Sequence, residues 1–308
     1  MTTAPAAINP TLTLGGDLTV NRLGFGAMHL TGPGTWGPPA DEANAIRVLR
    51  TAVDLGVNFI NTADSYGPGD NERVIREALY PYPDHLVICT KGGLLRSGPE
   101  DWAPGTTTPY IVPLGRPAYL RQQVELSLRN LGLDRIDLYE LHAIDPLVPL
   151  ADQLGELVQL QTEGKLRHIG VSGQPGVSVE QLAEARKTAG ITAVENRFNI
   201  ADTSGDDVVD HTQQEGIAFI PWFPLGNGGL LRADGALAAI AGQFDATAAQ
   251  LALAWLLRRS PTMLPIPGTS DISHLRQNMQ AANMALSEAD WAVVEEACTT
   301  APTGRPAG

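Results

Sequence analysis

The sequence predicts an α/β fold, a closed (β/α)8 TIM barrel, and three observations carry that reading. From Leu23 onward, short apolar runs alternate with segments of helical period, each punctuated by Gly, Pro, Asn or Asp, which is the signature of repeated βαβ units. The candidate strands are Leu23–Ala27, Val57–Ile60, Leu86–Cys89, Ile136–Leu141, His168–Val171, Ala193–Asn196, Ala218–Trp222 and Met263–Ile266, and eight parallel strands suit a barrel better than an open sheet. Open dinucleotide-binding sheets also carry a Gly-rich fingerprint after the first strand, and GFGAM at Gly24–Met28 does not complete it.

Taken in order, the first element is TLTLGGDLTV at Thr11–Val20, whose alternation around Gly15-Gly16 predicts a β-hairpin that plugs the barrel base. Between the strands, Asp41–Leu55 and Tyr119–Leu131 place apolar residues every three or four positions, as amphipathic helices do. Two segments fall outside the repeat. Leu94–Arg116, rich in Gly, Pro and Thr and carrying Trp102 and Tyr110, is expected to be a long functional loop. Ser287–Ala297 is expected to be an extra C-terminal helix with Ser287 as N-cap and Asp290 three residues on. Although 308 residues could make two average domains, barrels of roughly 250 residues fold as one. A single domain over 1–308 is expected, with loose ends at about 1–9 and 300–308.

Composition narrows the function classes. A net charge of -13 argues against sequence-independent binding to nucleic acid or to an anionic membrane, because both need a basic face. Any phosphate ligand must therefore be held by backbone amides, helix N-termini and a few local cations. The N-terminus shows no secretory signal, and no apolar run approaches the roughly 18 residues of a membrane span. Cys89 and Cys298 read as reduced structural thiols, which suits the cytoplasm. The 6 histidines show no paired ligand spacing, so no metal site is expected. No GxSxG elbow or cysteine nucleophile points to acyl transfer.

The strand ends carry the chemistry. Asn61–Glu72 reads NTADSYGPGDNE, placing Tyr66 in a Gly-rich loop just past the second strand. The third strand leads into Thr90 and Lys91, and the fourth ends in His142. In a barrel the C-terminal strand ends form the active face, so these three side chains should meet there. A phenol becomes a proton donor near neutral pH when a fixed ammonium lowers its pKa, and an imidazole beside it can orient a substrate oxygen.

Asn61–Glu72, Lys91, His142, Gly170–Ser172, Trp222–Gly226 and Ile266–Asn278 together resemble the aldo-keto reductases, over nearly the whole chain. The runs NERVIREALYPY, ALAWLLRRSP and IPGTSDISHLRQNM look closest to the subgroup that includes pyridoxal reductases. The resemblance implies NADPH bound on a (β/α)8 barrel, with a Tyr, Lys, His and Asp tetrad assisting hydride transfer to a carbonyl. Tyr66 matches the acid, Lys91 the lysine and His142 the histidine. The aspartate position falls on Asn61, which can accept from Lys91 through its amide oxygen but cannot ion-pair.

By the same resemblance, Gly26, Met28, Ser172, Glu195, Trp222, Phe223, Pro224, Leu225, Gly226, Gly268, Thr269, Ser270, His274, Arg276, Gln277 and Asn278 fall on cofactor positions. The family holds the nicotinamide amide with Ser, Asn and Gln, whereas this chain has Ser172, Gly173 and Glu195. The acid gained at Glu195 could replace the one missing at Asn61. Trp222 matches the aromatic that stacks on nicotinamide. The loops at Pro224–Leu230 and Pro267–Asn278 follow the seventh and eighth strands, where barrels of this class bind phosphate. Arg276 is a candidate 2'-phosphate partner and Asp271 an opposing charge, so NADPH is expected with NADH as the alternative.

The implied activity is reduction of an aldehyde or ketone, with substrate contacts from His29, Trp36 and Trp102 and pyridoxal as one candidate substrate. Two rivals follow from the Asn61 departure. One is an NADPH-binding regulatory or redox-sensing protein with slow turnover; the other is a redox-neutral biosynthetic enzyme on the same barrel. The sequence leaves the oligomeric state open.

Overall fold

Seven parallel strands lie side by side in a computed structural model that describes residues 10–99, 111–173, 176–232 and 235–300. In chain order the strands of the whole structure are β1 (Thr11–Leu14), β2 (Leu18–Asn21), β3 (Phe25–Gly26), β4 (Phe59–Asn61), β5 (Val87–Gly92), β6 (Leu94–Arg96), β7 (Ile111–Pro113), β8 (Ile136–Leu141), β9 (Leu166–Ser172), β10 (Ile191–Arg197) and β11 (Ala218–Trp222). The large sheet runs β3-β4-β5-β8-β9-β10-β11, all parallel. The helices that cross between and around these strands are α1 (Glu42–Asp54), α2 (Asp70–Leu79), α3 (Pro117–Leu131), α4 (Leu150–Thr162), α5 (Val179–Ala185), α6 (Asp206–Glu215), α7 (Ala236–Ala241), α8 (Ala248–Arg259), α9 (Ile272–Gln280) and α10 (Glu288–Thr300).

The expected eighth strand, Met263–Ile266, is not a regular strand, and the reason is local. Pro265 and Pro267 lack amide hydrogens, so this segment can only accept at those positions. It nonetheless closes the barrel. Phe219 N donates to Thr262 O at 2.9 Å and Leu264 N to Phe219 O at 2.8 Å, joining it to β11. On the other side Gly24 N donates to Pro265 O at 2.9 Å and Gly26 N to Pro267 O at 3.4 Å, joining it to β3.

The hairpin β1–β2 seals the base. Leu14, Leu18 and Val20 are buried in one cluster with Phe59, Val87, Cys89, Leu138, Ala193, Ala218, Ile220, Leu264 and Ile266, which is the apolar filling of the barrel interior. Alternation makes this work, because every second strand residue points inward. Outside the hairpin's contact, Asp17 pairs with Arg167 at 2.9 Å and with His168 at 2.6 Å. Helices cover the outer face of the sheet through α1 and α2 residues on one side and through α3, α4 and α8 residues on the other.

Helix starts follow the capping residues in the sequence. Asp41 caps α1 by accepting from Asn44 N at 2.8 Å, and Thr247 and Gln250 form a reciprocal box at α8. The expected C-terminal helix starts after Ser287, whose Oγ accepts from Asp290 N at 3.2 Å. The expected Leu94–Arg116 loop is instead an antiparallel pair at its two ends, β6 with β7, and its remainder from 100 to 110 lies outside the described residues. The expected loose ends, 1–9 and 300–308, also lie outside them apart from Thr300.

Candidate active site

Above the apolar filling, the inner face turns polar. Strand register explains how. Lys91 on β5 pairs in register with Glu140 on β8, and Glu140 pairs with Gly170 on β9. Neighbours in register across parallel strands share a face, so Lys91, Glu140 and Gly170 look into the same space. Asn61, at the end of β4, and Glu195, on β10, join them from either side.

The contacts are short. Lys91 Nζ donates to Asn61 Oδ1 at 2.6 Å and to Thr62 O at 3.0 Å, and lies 3.4 Å from Glu195 Oε1. Asn61 Nδ2 donates to Glu195 Oε2 at 2.7 Å and contacts Cys89 Sγ at 3.6 Å. Lys91 is fully buried and Glu195 nearly so. Burial is the largest single influence and opposes the ammonium, but the surrounding acidic groups, Glu195 foremost, together outweigh it, so the Lys91 pKa rises. Asn61 thus accepts from Lys91 as the sequence led one to expect. The anion absent from position 61 comes instead from Glu195.

Tyr66 stands over this pair, with Lys91 Nζ 5.4 Å from its ring centroid. His142 meets the Tyr66 ring edge-on at a centroid separation of 5.9 Å. Ser65 Oγ lies 3.3 Å from His142 Nδ1. Burial, together with the Lys91 and Arg96 charges, holds the His142 pKa well below the ordinary imidazole range, so the ring is neutral at pH 7. Phenol, ammonium and imidazole, from three separate loops and strands, share one site.

These groups open into a cleft of about 570 Å³. Its walls include Gly26, Met28, His29, Asn61, Tyr66, His142, Ser172, Glu195, Trp222, Phe223, Pro224, Leu225, Gly268, Thr269 and Ser270, all expected from the sequence. Trp222 and Phe223 pack edge to face at 4.9 Å. Phe223 takes a left-handed φ of 52°, a costly conformation for an aromatic residue, and its carbonyl accepts from Gly226 N at 2.9 Å and Asn199 Nδ2 at 3.2 Å. That turn is what presents Pro224 and Leu225 to the cleft.

Other expected residues lie away from the walls. Gly226 forms the turn without lining the cleft, and His274, Arg276, Gln277 and Asn278 sit on α9 beyond it. Of these, His274 and Arg276 are exposed, whereas Asn278 is buried. The α9 N-terminus is capped by Asp271, which accepts from Ser273 N at 2.6 Å and His274 N at 3.0 Å. Trp36 does not line the cleft either; it stacks on Arg96, 6.0 Å away, which does. Trp102 lies outside the described residues.

Sequence reasoning passed over Ser65, Arg96, Arg197 and Glu140. Arg197 lines the cleft, lies 6.0 Å from the Trp222 ring and pairs with Asp202 at 3.0 Å. Its position two residues past Glu195 on an inward-facing strand end was the available signal. Gly173 has a steric cause: a Cβ there would stand 2.6 Å from Gly176 C and 2.7 Å from Val177 N. No side chain fits. Among the described residues, no group of three or more His, Cys, Asp or Glu is arranged to hold a metal, and no helix is long and apolar enough to cross a membrane.

Comparison with known proteins settles the lineage. The model of the aldo/keto reductase family matches residues 22–298. The chain belongs to the aldo/keto reductase family. It is an oxidoreductase. It is 46% identical over 284 residues to pyridoxine 4-dehydrogenase of Escherichia coli K12, covering 90% of this chain and 94% of that protein. An uncharacterized oxidoreductase of Schizosaccharomyces pombe is 45% identical over 281 residues, covering 91% of this chain and 88% of that protein. An aldo-keto reductase from Klebsiella pneumoniae, solved in complex with NADPH, superposes with a TM-score of 0.77 at 26% identity, covering 94% of this chain and 95% of that chain.

Proposed function

We propose that this aldo/keto reductase reduces a small aromatic aldehyde, pyridoxal in the first instance, with NADPH as reductant and Tyr66 as proton donor. The supporting observation is the meeting of Tyr66, Lys91 and His142 at the cleft, with the lysine charge balanced by Glu195. The similarity to pyridoxine 4-dehydrogenase supports the substrate choice, and the likeness to an NADPH-bound reductase supports the cofactor.

The cleft suits a nicotinamide nucleotide in its donors and its shape. Ser172 offers a hydroxyl, Trp222 an aromatic face, and the Gly268–Ser270 and Phe223–Leu225 turns bring backbone to the wall. A cavity of about 570 Å³ falls within the usual range for small-molecule sites. Ser172 and Glu195 would hold the carboxamide end and Trp222 the ring, while Arg276 and His274, exposed on α9, would face the adenosine end. When bound, NADPH supplies the hydride.

The protein's own part is positioning and proton delivery. His142, neutral, can present a ring N–H to the substrate oxygen; in the tautomer in which Ser65 Oγ donates to Nδ1, the ring proton is on Nε2 and serves as that donor. Lys91 keeps a positive charge beside the Tyr66 ring, which favours release of the phenolic proton to the oxygen as negative charge develops there. Arg96, backed by the Trp36 ring, brings a guanidinium to the cleft wall that suits a planar polar ring.

The departure at Asn61, which favoured a slow regulatory role or a redox-neutral reaction, is answered by Glu195, so neither rival retains its motive. We take residues 1–308 as one domain working in the cytoplasm, supported by a family match over 22–298 and by two unpaired cysteines, Cys89 and Cys298. Incubating the enzyme with NADPH and a panel of aldehydes including pyridoxal tests the reading. Consumption of NADPH with formation of the matching alcohol supports it, and binding of NADPH without its oxidation across the panel sinks it.

A further inference from the structure

Glu140 has no place in the mechanism above, yet it is fully buried at its centre. Its register partners are Lys91 on β5 and Gly170 on β9. Gly170 makes its conformation possible, because a Cβ there would stand 2.8 Å from Glu140 Cγ and 3.0 Å from Oε1. In the space so left, the Glu140 carboxyl lies within hydrogen-bonding reach of the Glu195 carboxyl. Neither Glu140 oxygen finds a donor among the protein groups around it. Two ionised carboxylates are acceptors only and cannot bond each other, so a contact between them requires one proton.

We propose that Glu140 is a positioning residue for the reductase site: as a neutral carboxylic acid it donates its hydroxyl hydrogen to Glu195 and so holds the Glu195 carboxylate against Lys91 and Asn61. The balance of charge agrees. One ammonium, Lys91, faces two acids, and a proton kept on Glu140 leaves one cation against one anion. The groups facing Glu140 are Glu195 from β10 and Lys91 and Cys89 from β5, while Gly170 of β9 brings no charge. Burial first, and Glu195 second, push the Glu140 pKa well above the usual carboxylate range, and Lys91 only partly offsets them. With its remaining lone pairs engaged by Lys91 and Asn61, Glu195 is the better acceptor of the two and Glu140 the donor. The role of Glu195 as counter-anion thus depends on a second acid that stays neutral.

This inference rests on the proposed reductase reading for its kinetic consequence but not for its spectroscopic one. Infrared difference spectra of wild type and E140Q, in the full-length protein at neutral pH, are expected to show a carboxylic-acid C=O band in wild type that is absent from E140Q. Equal spectra in that region would overturn the proposal, whatever the protein reduces. In turnover, E140L is expected to lose about 10-fold in kcat, because the Lys91–Glu195 pair loses its support. E140Q, whose amide N–H can still donate to Glu195, is expected to recover most of that loss and to keep the wild-type pH profile, whereas E140L displaces the profile. E140L matching wild type in both kcat and pH profile would contradict the role. If E140L does not fold, the spectra of wild type and E140Q decide alone. Absence of any carbonyl turnover in wild type would instead count against the reductase reading.

Discussion

Lys91 makes its ion pair with Glu195, at 3.4 Å across the barrel, rather than with the residue at position 61 beside it. Asn61 bridges the two, accepting from the ammonium at 2.6 Å and donating to the carboxylate at 2.7 Å. The arrangement keeps one negative charge next to the lysine while moving it from β4 to β10.

Moving the charge back should therefore be tolerated better than removing it. E195Q is expected to reduce kcat by about 10-fold, since the buried ammonium is left with neutral partners, and N61D alone to reduce it by placing two acids on one lysine. The double variant N61D/E195Q should recover most of the loss. Expressed as free energy, the coupling should be on the order of 1–2 kcal/mol, within the range for residues in one buried network. Additive effects in a steady-state double-mutant cycle would exclude the exchange.

His142 sets an acid-side dependence of stability. Its folded pKa lies well below the ordinary 6.5, so the unfolded chain binds more protons in the window between the two values. Stability from this group is present in full above 6.5 and is lost as pH falls through that window. Denaturant midpoints measured from neutral to mildly acidic pH should fall less steeply for H142Q than for wild type.

Position 173 should resist restoration of the family residue. Because a Cβ there meets Gly176 and Val177 backbone atoms at 2.6 and 2.7 Å, G173N must displace the turn after β9 instead of adding a contact to the cofactor. NADPH affinity, measured by fluorescence titration, should weaken by about 10-fold, equivalent to a strain near 1.4 kcal/mol. Tighter binding in G173N would show that the turn has room.

Much of this was legible in the sequence. Seven strands fall where apolar runs predict them, because buried parallel strands advertise themselves as short apolar segments between helices. Met263–Ile266 reads the same way, and only Pro265 and Pro267 betray that it closes the barrel through carbonyls. Tyr66, Lys91 and His142 were legible because each lies at or just past the C-terminal end of a strand. Glu140 was not: it lies inside DLYELH, where alternation says only that it faces inward, and its meaning comes from Glu195, on a strand far along the chain. Trp36 illustrates the opposite error, an aromatic in a promising loop that serves the site only through Arg96. Long-range pairings of this kind leave no local pattern.

The base of the barrel depends on Arg22, which is buried and donates to Met263 O at 3.1 Å, to Leu257 O at 2.7 Å and to Ser260 O. Burial lowers its pKa to about 10, so it remains charged at neutral pH. R22M removes the donor that ties α8 and the closing segment to the hairpin. Urea denaturation should show a loss of about 3 kcal/mol, the usual cost of leaving buried acceptors unpaired, with little change in KM. A loss below about 1 kcal/mol would mean that those carbonyls find other donors.

The central claim is that Tyr66 gives the proton in a carbonyl reduction powered by NADPH. Its most direct measurement is NADPH consumption with pyridoxal and other aldehydes, in wild type and Y66F side by side. Wild type should oxidise NADPH and yield one alcohol per cofactor, and Y66F should bind NADPH equally well yet turn over at least about 100-fold more slowly. A Y66F enzyme as fast as wild type would contradict the account.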